Sequence, residues 1–390
     1  MNYRILTLDQ ISARGLERLP RERYEVAAAG LDRPDAILVR SADMHQLDIP
    51  GTVRAVVRAG SSVNNIPVEA LSRRGIAVFN APGANANAVK ELVLASLLLA
   101  ARNICQAWDF ARTLAGDDAA IDARVLSGRQ AFLGFELAGR TLGVVGLGAV
   151  GVEVANAAEA LGMRVLGYDP KITVQRAWQL TSSVEQALSL DDLFARANFV
   201  TVHVPLNDQT RGLVNEYRVK LMQKCGVLLN FSRPGIVEDR PVLAALDAGR
   251  LHAYVSDFPS SLLRGHPRVI TLPHLGASTA EAADNCAILA ADQLRDFLEN
   301  GNIRNSVNYP ETLLPRLPGA ARLAITQRSM PNGVGRICTC LADAGVHIEN
   351  LLNKSRGEYA FTLIDLGGPA ADGLTENLRR IDGILSAHLI

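Results

Sequence analysis

Gly146-Leu147-Gly148-Ala149-Val150-Gly151 is the stretch whose spacing most directly implies chemistry. A G-x-G-x-x-G string has meaning only between a strand and a helix. Here the apolar run Thr141–Val145 precedes it and Val150–Leu161 follows. In that setting the first glycine permits a tight turn, and the second lets the backbone approach a pyrophosphate. The third lets helix and strand pack closely, with phosphates at the helix N-terminus. Asp169 follows the next apolar run, 18 residues beyond Gly151. A carboxylate there accepts hydrogen bonds from a ribose 2′-OH and repels a 2′-phosphate, so NAD is favoured over NADP.

A hydride carrier needs a partner group that exchanges a proton and another that holds the substrate. His274, in Leu-Pro-His-Leu-Gly-Ala-Ser, comes just after the strand-like run Val269–Leu272. Arg233, in Asn-Phe-Ser-Arg-Pro-Gly, comes just after Val227–Phe231, and its planar fork suits a carboxylate. Taken singly, His274 reads as a structural histidine and Arg233 as a surface charge. Their shared position at strand ends of the sheet that carries the glycine turn favours catalysis, because open α/β sheets bind ligands there.

The elements that must position these residues fall into three groups. In the first, Ala36–Val39, Ala55–Val57 and Ile76–Phe79 read as strands, with a helix at Val68–Arg73, a βαβ pattern that implies a parallel sheet. One long helix is expected from Asn87 to about Arg112, then a polar loop over Asp117–Gln130. The second group runs through the strands Thr141–Val145, Arg164–Tyr168, Phe199–Val204, Val227–Phe231 and Ala253–Ser256, with helices at Leu190–Ala195 and Pro241–Ala248. A helix over Glu281–Asn300 and a Pro-rich linker follow. The third group, from Ala321, has the strand, helix, strand, strand, helix, strand order of a ferredoxin-like module. The fold class is therefore α/β, with two doubly wound parallel-sheet domains and a small α+β domain.

Composition excludes several alternatives. Forty basic and forty acidic residues give zero net charge without a charged tail, which argues against nucleic acid or an anionic membrane as partner. The five cysteines lack metal or redox spacing, so no metal is expected. The N-terminus reads as a strand rather than a signal peptide, and Leu92–Ala101 is too short to cross a bilayer, so a cytoplasmic location is expected.

The glycine motif with Asp169, Val202-His203-Val204-Pro205-Leu206, Asn230 to Gly235 and Pro273 to Thr279 together resemble the D-isomer-specific 2-hydroxy acid dehydrogenases, over about residues 1–310. The resemblance implies a flavodoxin-like substrate domain at 1–92 with 281–308 and a Rossmann NAD domain at 93–280. It also implies a linker at 309–320 and a regulatory ACT domain at 321–390. It makes Arg233 the carboxylate-binding and oxygen-polarising group and His274 the proton exchanger. The cofactor site would comprise Gly146, Gly148, Ala149, Val150, Gly151, Asp169, Val204, Pro205, Phe231, Ser232, Asp257 and Gly276, with Asp257 on the nicotinamide carboxamide.

Val39-Arg40-Ser41, the Arg58 to Asn65 stretch and the tail are similar to the members of that family that act on a phosphorylated acid. The resemblance thus implies NAD-dependent oxidation of 3-phosphoglycerate to 3-phosphohydroxypyruvate, the first step of the phosphorylated serine route. Arg40 and Arg58, each ending a predicted strand, would bind the phosphate; solvated arginines are the plainer reading. Gly60, Ser61, Ser62 and Val63 would offer backbone N–H groups to the carboxylate. Arg129 is a weaker phosphate candidate, reaching across a dimer. A homodimer or homotetramer is expected.

Two departures keep alternatives open. The family pairs its histidine with a glutamate, whereas the loop Phe258 to Gly265 has no carboxylate and Leu262 stands at the expected position. Glu281 or Asp257 could substitute, the histidine could act unassisted, or activity could be lost. In the tail, Gln327-Arg-Ser329-Met-Pro331 replaces the usual effector-binding pattern. The tail then either senses an amino acid or only builds an oligomer interface. A glyoxylate or hydroxypyruvate reductase and a non-catalytic NAD-sensing binding protein are the rival functions.

Overall fold

The computed structural model describes residues 2–390 and divides into two units, residues 1–85 with 280–390 and residues 86–279. The sequence expectation put these boundaries at 92/93 and 280/281.

In the first unit, β1 (Tyr3–Leu8), β2 (Tyr24–Ala27), β3 (Ala36–Val39), β4 (Ala55–Arg58) and β5 (Ala77–Phe79) form a five-stranded parallel sheet in the order β2-β1-β3-β4-β5. This is the flavodoxin-like order, whose switch point lies between β1 and β3. Every residue of β3 and β5 is buried, as expected of strands covered on both faces. The Ala280–Asn300 helix supplies Cys286, Ala287, Ala290, Leu294 and Phe297 to the core beneath this sheet.

In the second unit, β6 (Thr141–Val145), β7 (Arg164–Tyr168), β8 (Glu185–Gln186), β9 (Phe199–Val202), β10 (Gly226–Asn230), β11 (Leu251–Ser256) and β12 (Val269–Thr271) form a seven-stranded parallel sheet in the order β12-β11-β10-β9-β6-β7-β8. The order reverses between β6 and β9, which is where a doubly wound sheet opens a ligand crevice. Its strands carry apolar runs such as Val-Leu-Leu in β10, a strand buried throughout.

The tail folds as β13 (Arg322–Arg328), a helix at Gly333–Asp343, β14 (Ile348–Arg356), β15 (Tyr359–Leu366), a helix at Leu374–Arg379 and β16 (Ile384–Leu389). This is the expected βαββαβ order, and its antiparallel sheet runs β14-β15-β13-β16. The tail belongs to the first unit. Ala324, Phe361 and Leu363 share a core cluster with Phe79 and Phe297. Arg322 and Asp365, both fully buried, pair at 2.6 Å. The same guanidinium donates to the carbonyls of Asn300, Leu314 and Pro315 at 2.8–2.9 Å.

Several expectations differ in detail. The single helix over 87–112 is two, Ala86–Ala101 and Ile104–Arg112. Asn103 takes a left-handed φ of 49° between them, a conformation asparagine tolerates better than most residues. The expected loop at 117–130 is instead a helix, Asp118–Gly128, opened by Asp117, whose carboxylate accepts the Ala120 N–H at 2.9 Å. None of its residues is buried, so it carries no apolar stripe for sequence periodicity to detect. The stretch expected as a linker starts in the core: Tyr309 and Thr312 are fully buried, and Thr312 bridges to Ile303.

Candidate active site

The second sheet brings the predicted residues to one edge, the C-terminal ends of its strands. Along the sheet, His274 follows β12, Asp257 follows β11, Arg233 follows β10, Val204 and Pro205 follow β9, the glycine turn follows β6 and Asp169 follows β7. One half of the edge thus carries the acid–base and anion-binding side chains, and the other half the turn suited to a dinucleotide.

The glycine turn is explained by close contact. Gly146 has φ 91°, and a Cβ there would lie 2.7 Å from the carbonyl oxygen of His203. A Cβ on Gly151 would overlap the Gly146 carbonyl. Gly148 differs: it is exposed, and a Cβ there would meet nothing within 4 Å. Its missing side chain therefore leaves open space at the N-terminus of the Ala149–Ala160 helix, the place for a pyrophosphate. Asp169 accepts the Leu147 N–H at 2.9 Å and the Lys171 N–H at 2.8 Å. The carboxylate is thereby fixed beside the turn, with lone pairs remaining for ribose hydroxyls. These features fit a dinucleotide.

Beneath the turn, Nε2 of His203 lies 2.9 Å from the Thr201 hydroxyl. Burial drives the His203 imidazole down to about 3, so it is neutral at ordinary pH.

The Arg233 loop is built by Asn230, a residue that is 2% exposed. The Asn230 Oδ1 accepts the Ser232 N–H and its Nδ2 donates to the Arg233 carbonyl, both at 3.1 Å. Ser232 donates its hydroxyl to the Val202 carbonyl on β9 at 2.7 Å. The Arg233 guanidinium is half-buried and donates to the Ser232 carbonyl at 2.7 Å, leaving most of its donors uncommitted. Phe231 is buried next to this turn.

The His274 loop depends on Asp257, which is 1% exposed. The Asp257 carboxylate accepts the Leu275 N–H at 2.7 Å and the Gly276 N–H at 2.8 Å, and its main-chain carbonyl accepts the His274 N–H at 3.0 Å. His274 itself sits at φ 57°, a strained conformation for a histidine, and its ring meets the edge of Phe258 at a centroid distance of 5.1 Å. The histidine–carboxylate pairs among the described residues are those of His45, His266 and His347; none involves His274. Asp257 therefore supports the histidine through the backbone and does not pair with its ring. Glu281, the other proposed substitute, belongs to the first unit. Leu262 is 43% exposed and lines a cavity of about 590 Å³ together with Asn230, Tyr254, Glu238 and Asp239.

In the first unit, Arg40 and Arg58 lie at the C-terminal ends of β3 and β4. Arg58 donates through Nε to the Arg40 carbonyl at 2.9 Å and through Nη1 to the Ser62 carbonyl, which shapes the loop of Gly60, Ser61, Ser62 and Val63. Asn80 adds a bond to the Ser61 carbonyl at 2.6 Å.

Sequence reasoning missed Asp9. It ends β1 with φ 81°, and one carboxylate oxygen accepts the N–H groups of Arg40, Ser41 and Ala42 at 2.8–3.1 Å. Burial alone would raise its pKa, but those three backbone donors outweigh it and hold the carboxyl below its usual range. Asp9 and Asn230 do the same job in the two sheets: a polar residue at one strand end fixes the loop that carries an arginine. The signal was an Asp or Asn closing an apolar run, which by itself reads as an ordinary turn.

Arg129 lies in a 3-10 turn at 129–132 in the second unit. In the tail, Gln327 is 3% exposed and donates to Asn353 at 3.0 Å and to Thr362 at 3.2 Å, while its Oε1 is buried without a hydrogen-bond partner. Among the described residues no group of side chains suits a metal ion, and no helix is long and apolar enough to cross a membrane.

Residues 94–276 match the model of the D-isomer specific 2-hydroxyacid dehydrogenase NAD binding domain. The chain is 35% identical over 285 residues to D-3-phosphoglycerate dehydrogenase of Methanocaldococcus jannaschii, covering 71% of this chain and 52% of that protein. It is 30% identical over 338 residues to the protein of the same name from Haemophilus influenzae, covering 84% of this chain and 78% of that one. The crystal structure of an NAD+-bound 3-phosphoglycerate dehydrogenase from Entamoeba histolytica superposes with a TM-score of 0.60 at 25% identity, over 79% of this chain and 99% of that one. The chain thus spans about half the length of the Methanocaldococcus relative. With the glycine turn, Arg233 and His274 all inside the matched domain and the Haemophilus relative aligned over most of its length, the chain belongs to the D-isomer specific 2-hydroxyacid dehydrogenase family.

Proposed function

We propose that this protein is a cytoplasmic, homo-oligomeric NAD-dependent dehydrogenase that oxidises 3-phosphoglycerate at its 2-hydroxyl. The observation that carries the reading is the edge of the second sheet, where Arg233 and His274 leave β10 and β12 at the same strand ends that carry the glycine turn and Asp169. The arginines at the strand ends of the first sheet and the names of the relatives support the phosphorylated substrate.

In this reading Arg40 and Arg58 take the phosphate, and the backbone of Gly60 to Val63 meets the carboxylate. Arg233 grips the carboxylate with its remaining donors and polarises the C2 oxygen. His274 removes the hydroxyl proton as the C2 hydride departs. The turn from Gly146 to Gly151 with Asp169 would hold the dinucleotide's phosphates and ribose, and Val204, Pro205, Phe231, Ser232 and Gly276 would line the rest of its site. NAD, when bound, supplies the hydride acceptor. The Asp257 carboxylate already receives two backbone N–H groups, so a nicotinamide carboxamide would be an additional partner for it. The domain assignment follows: residues 1–92 with 281–308 for substrate, 93–280 for NAD, and the tail as an ACT domain taking an amino-acid effector.

The test is NADH formation measured by absorbance with 3-phosphoglycerate, compared with unphosphorylated glycerate and, in the reverse direction, hydroxypyruvate and glyoxylate. Preference for the phosphorylated acid by tenfold or more in kcat/KM supports the reading. Preference for glyoxylate or hydroxypyruvate would make the protein a reductase. The lack of a carboxylate partner for the His274 ring among the described residues favours one further reading, an NAD-sensing protein without catalysis; tight NADH binding with no turnover on any acid would establish it.

A further inference from the structure

The first unit has a second concave feature, at the opposite end of its sheet from Arg40 and Arg58. A cavity of about 540 Å³ opens where the segments entering β3, β4 and β5 meet the last strand of the tail. Arg33 and Asp35 come from the first of these segments, Arg54 from the second and Arg74 from the third. Arg379 and His388 come from the tail.

The charge around this space is one-sided. Four guanidinium groups face one carboxylate, and that carboxylate is already matched to Arg54 at 3.1 Å. Asp35 also accepts the Arg4 N–H at 2.9 Å. Arg74 donates to the carbonyls of Ile49 and Pro50 at 2.7 and 3.3 Å, and Arg379 to that of Ala387 at 2.6 Å. Carbonyls satisfy donors without neutralising charge. Arg33 has no hydrogen bond or ion pair among the described residues. Each guanidinium has five donors, so most of those lining the cavity remain available. Burial, with the charges of Arg54 and Arg379, drives His388 down to about 3, leaving a neutral imidazole beside the arginines.

The cavity is also a seam. Thr326 and Ser386 of the tail donate to the Gly75 carbonyl at 3.3 and 3.4 Å. A Cβ on Gly75 would come within 2.6 Å of the Thr326 hydroxyl, so the two surfaces approach closely only because that residue is glycine. An anion in this space would touch guanidinium groups from both sides of the seam.

We propose that this cavity binds a small dianion of the phosphate class, held by Arg33, Arg54 and Arg74 from the sheet and Arg379 from the tail, and that the bound anion fastens the tail to the sheet. The shape of the guanidinium fork suits phosphate oxygens bidentately, and the volume admits a small phosphate ester as well as inorganic phosphate. This site is separate from the strand-end residues assigned to substrate, and the inference does not rest on the proposed reaction.

The test is calorimetric titration of the full chain with inorganic phosphate, and separately with glycerol 3-phosphate, at ionic strength fixed with chloride. Thermal unfolding is followed in the same buffers. A saturable phosphate site is expected that weakens by about tenfold or more in Arg33→Gln and in Arg379→Gln, in line with the loss of one charge-assisted contact. Arg40→Gln should leave that site unchanged. Phosphate should raise the unfolding midpoint of the parent more than that of either variant. Tighter binding of glycerol 3-phosphate would identify an ester as the ligand, and equal binding would identify free phosphate. Isotherms of Arg33→Gln and Arg379→Gln that match the parent, or no saturable site beyond the one Arg40→Gln removes, would overturn the proposal. Arg33 is exposed, so its variant keeps the test interpretable if Arg379→Gln folds poorly.

Discussion

The loops carrying Arg233 and His274 leave the same parallel sheet one strand apart, yet they are supported differently. Arg233 has both its backbone and its side chain fixed, through Asn230, Ser232 and its own bond to the Ser232 carbonyl. His274 has a fixed backbone, held by the buried Asp257, but its ring meets the edge of Phe258 and has no carboxylate partner among the described residues. Placing a catalytic side chain and tuning it are separate tasks. An anion-binding arginine needs only placement, since its charge is permanent. A proton-exchanging histidine needs electrostatic support as well, because its charge changes during the reaction.

The contrast can be broken most severely at the histidine. His274→Ala should lower kcat by roughly 10²–10⁴-fold, the usual worth of general acid–base catalysis, with folding intact; a variant of near-parent activity would remove His274 from the mechanism. Asp257→Ala comes next. It strands the buried Gly276 N–H, costing about 1–3 kcal/mol, and releases the part-buried Leu275 N–H, so both urea stability and kcat should fall. If activity dropped without any loss of stability, Asp257 would be acting on the ring or the cofactor and not on the turn.

Leu262→Glu should sharpen the contrast by putting a carboxylate at the position where the resemblance expects a glutamate. We expect a several-fold rise in kcat and a shift of the pH–rate profile toward higher pH for the oxidation. No change in either would show that a carboxylate at position 262 does not act on the histidine.

The smallest effect concerns the nucleotide half of the edge. His203 in the folded chain protonates only near 3, against about 6.5 when unfolded. Between those values the unfolded chain binds a proton that the folded one refuses, so the associated stability is present above 6.5 and is lost as pH falls toward 3. His203→Gln should therefore flatten the fall of the urea midpoint between pH 7 and 5; an unchanged slope would assign that fall to His388, which is depressed in the same way.

Much of this was legible from the chain. The glycine turn, Asp169, Arg233 and His274 each sit beside a long apolar run, and buried parallel strands give a strong local signal of that kind. Strands β2 and β8 escaped notice because both are short, β2 being partly and β8 wholly exposed, and the Asp118–Gly128 helix because it buries nothing. Asp9 was visible only as a turn residue, and Asn230 only as the start of the motif that carries Arg233. Their partners, Arg40 to Ala42 and Ser232, become evident only once the strand ends are aligned.

By itself the sequence determined the alternation of strands and helices, the dinucleotide turn and the absence of a carboxylate at Leu262, because these are properties of local pattern and residue type. Tertiary structure decided what neighbours what. It put Asp257 under the histidine's backbone and not against its ring, and it packed the tail onto the first sheet through the core that Ala324, Phe361 and Leu363 share with Phe79 and Phe297. It also gathered arginines from four separate segments around one cavity. Those arginines are spread from position 33 to position 379, and only the closure of the fold turns such distant charges into one electrostatic site.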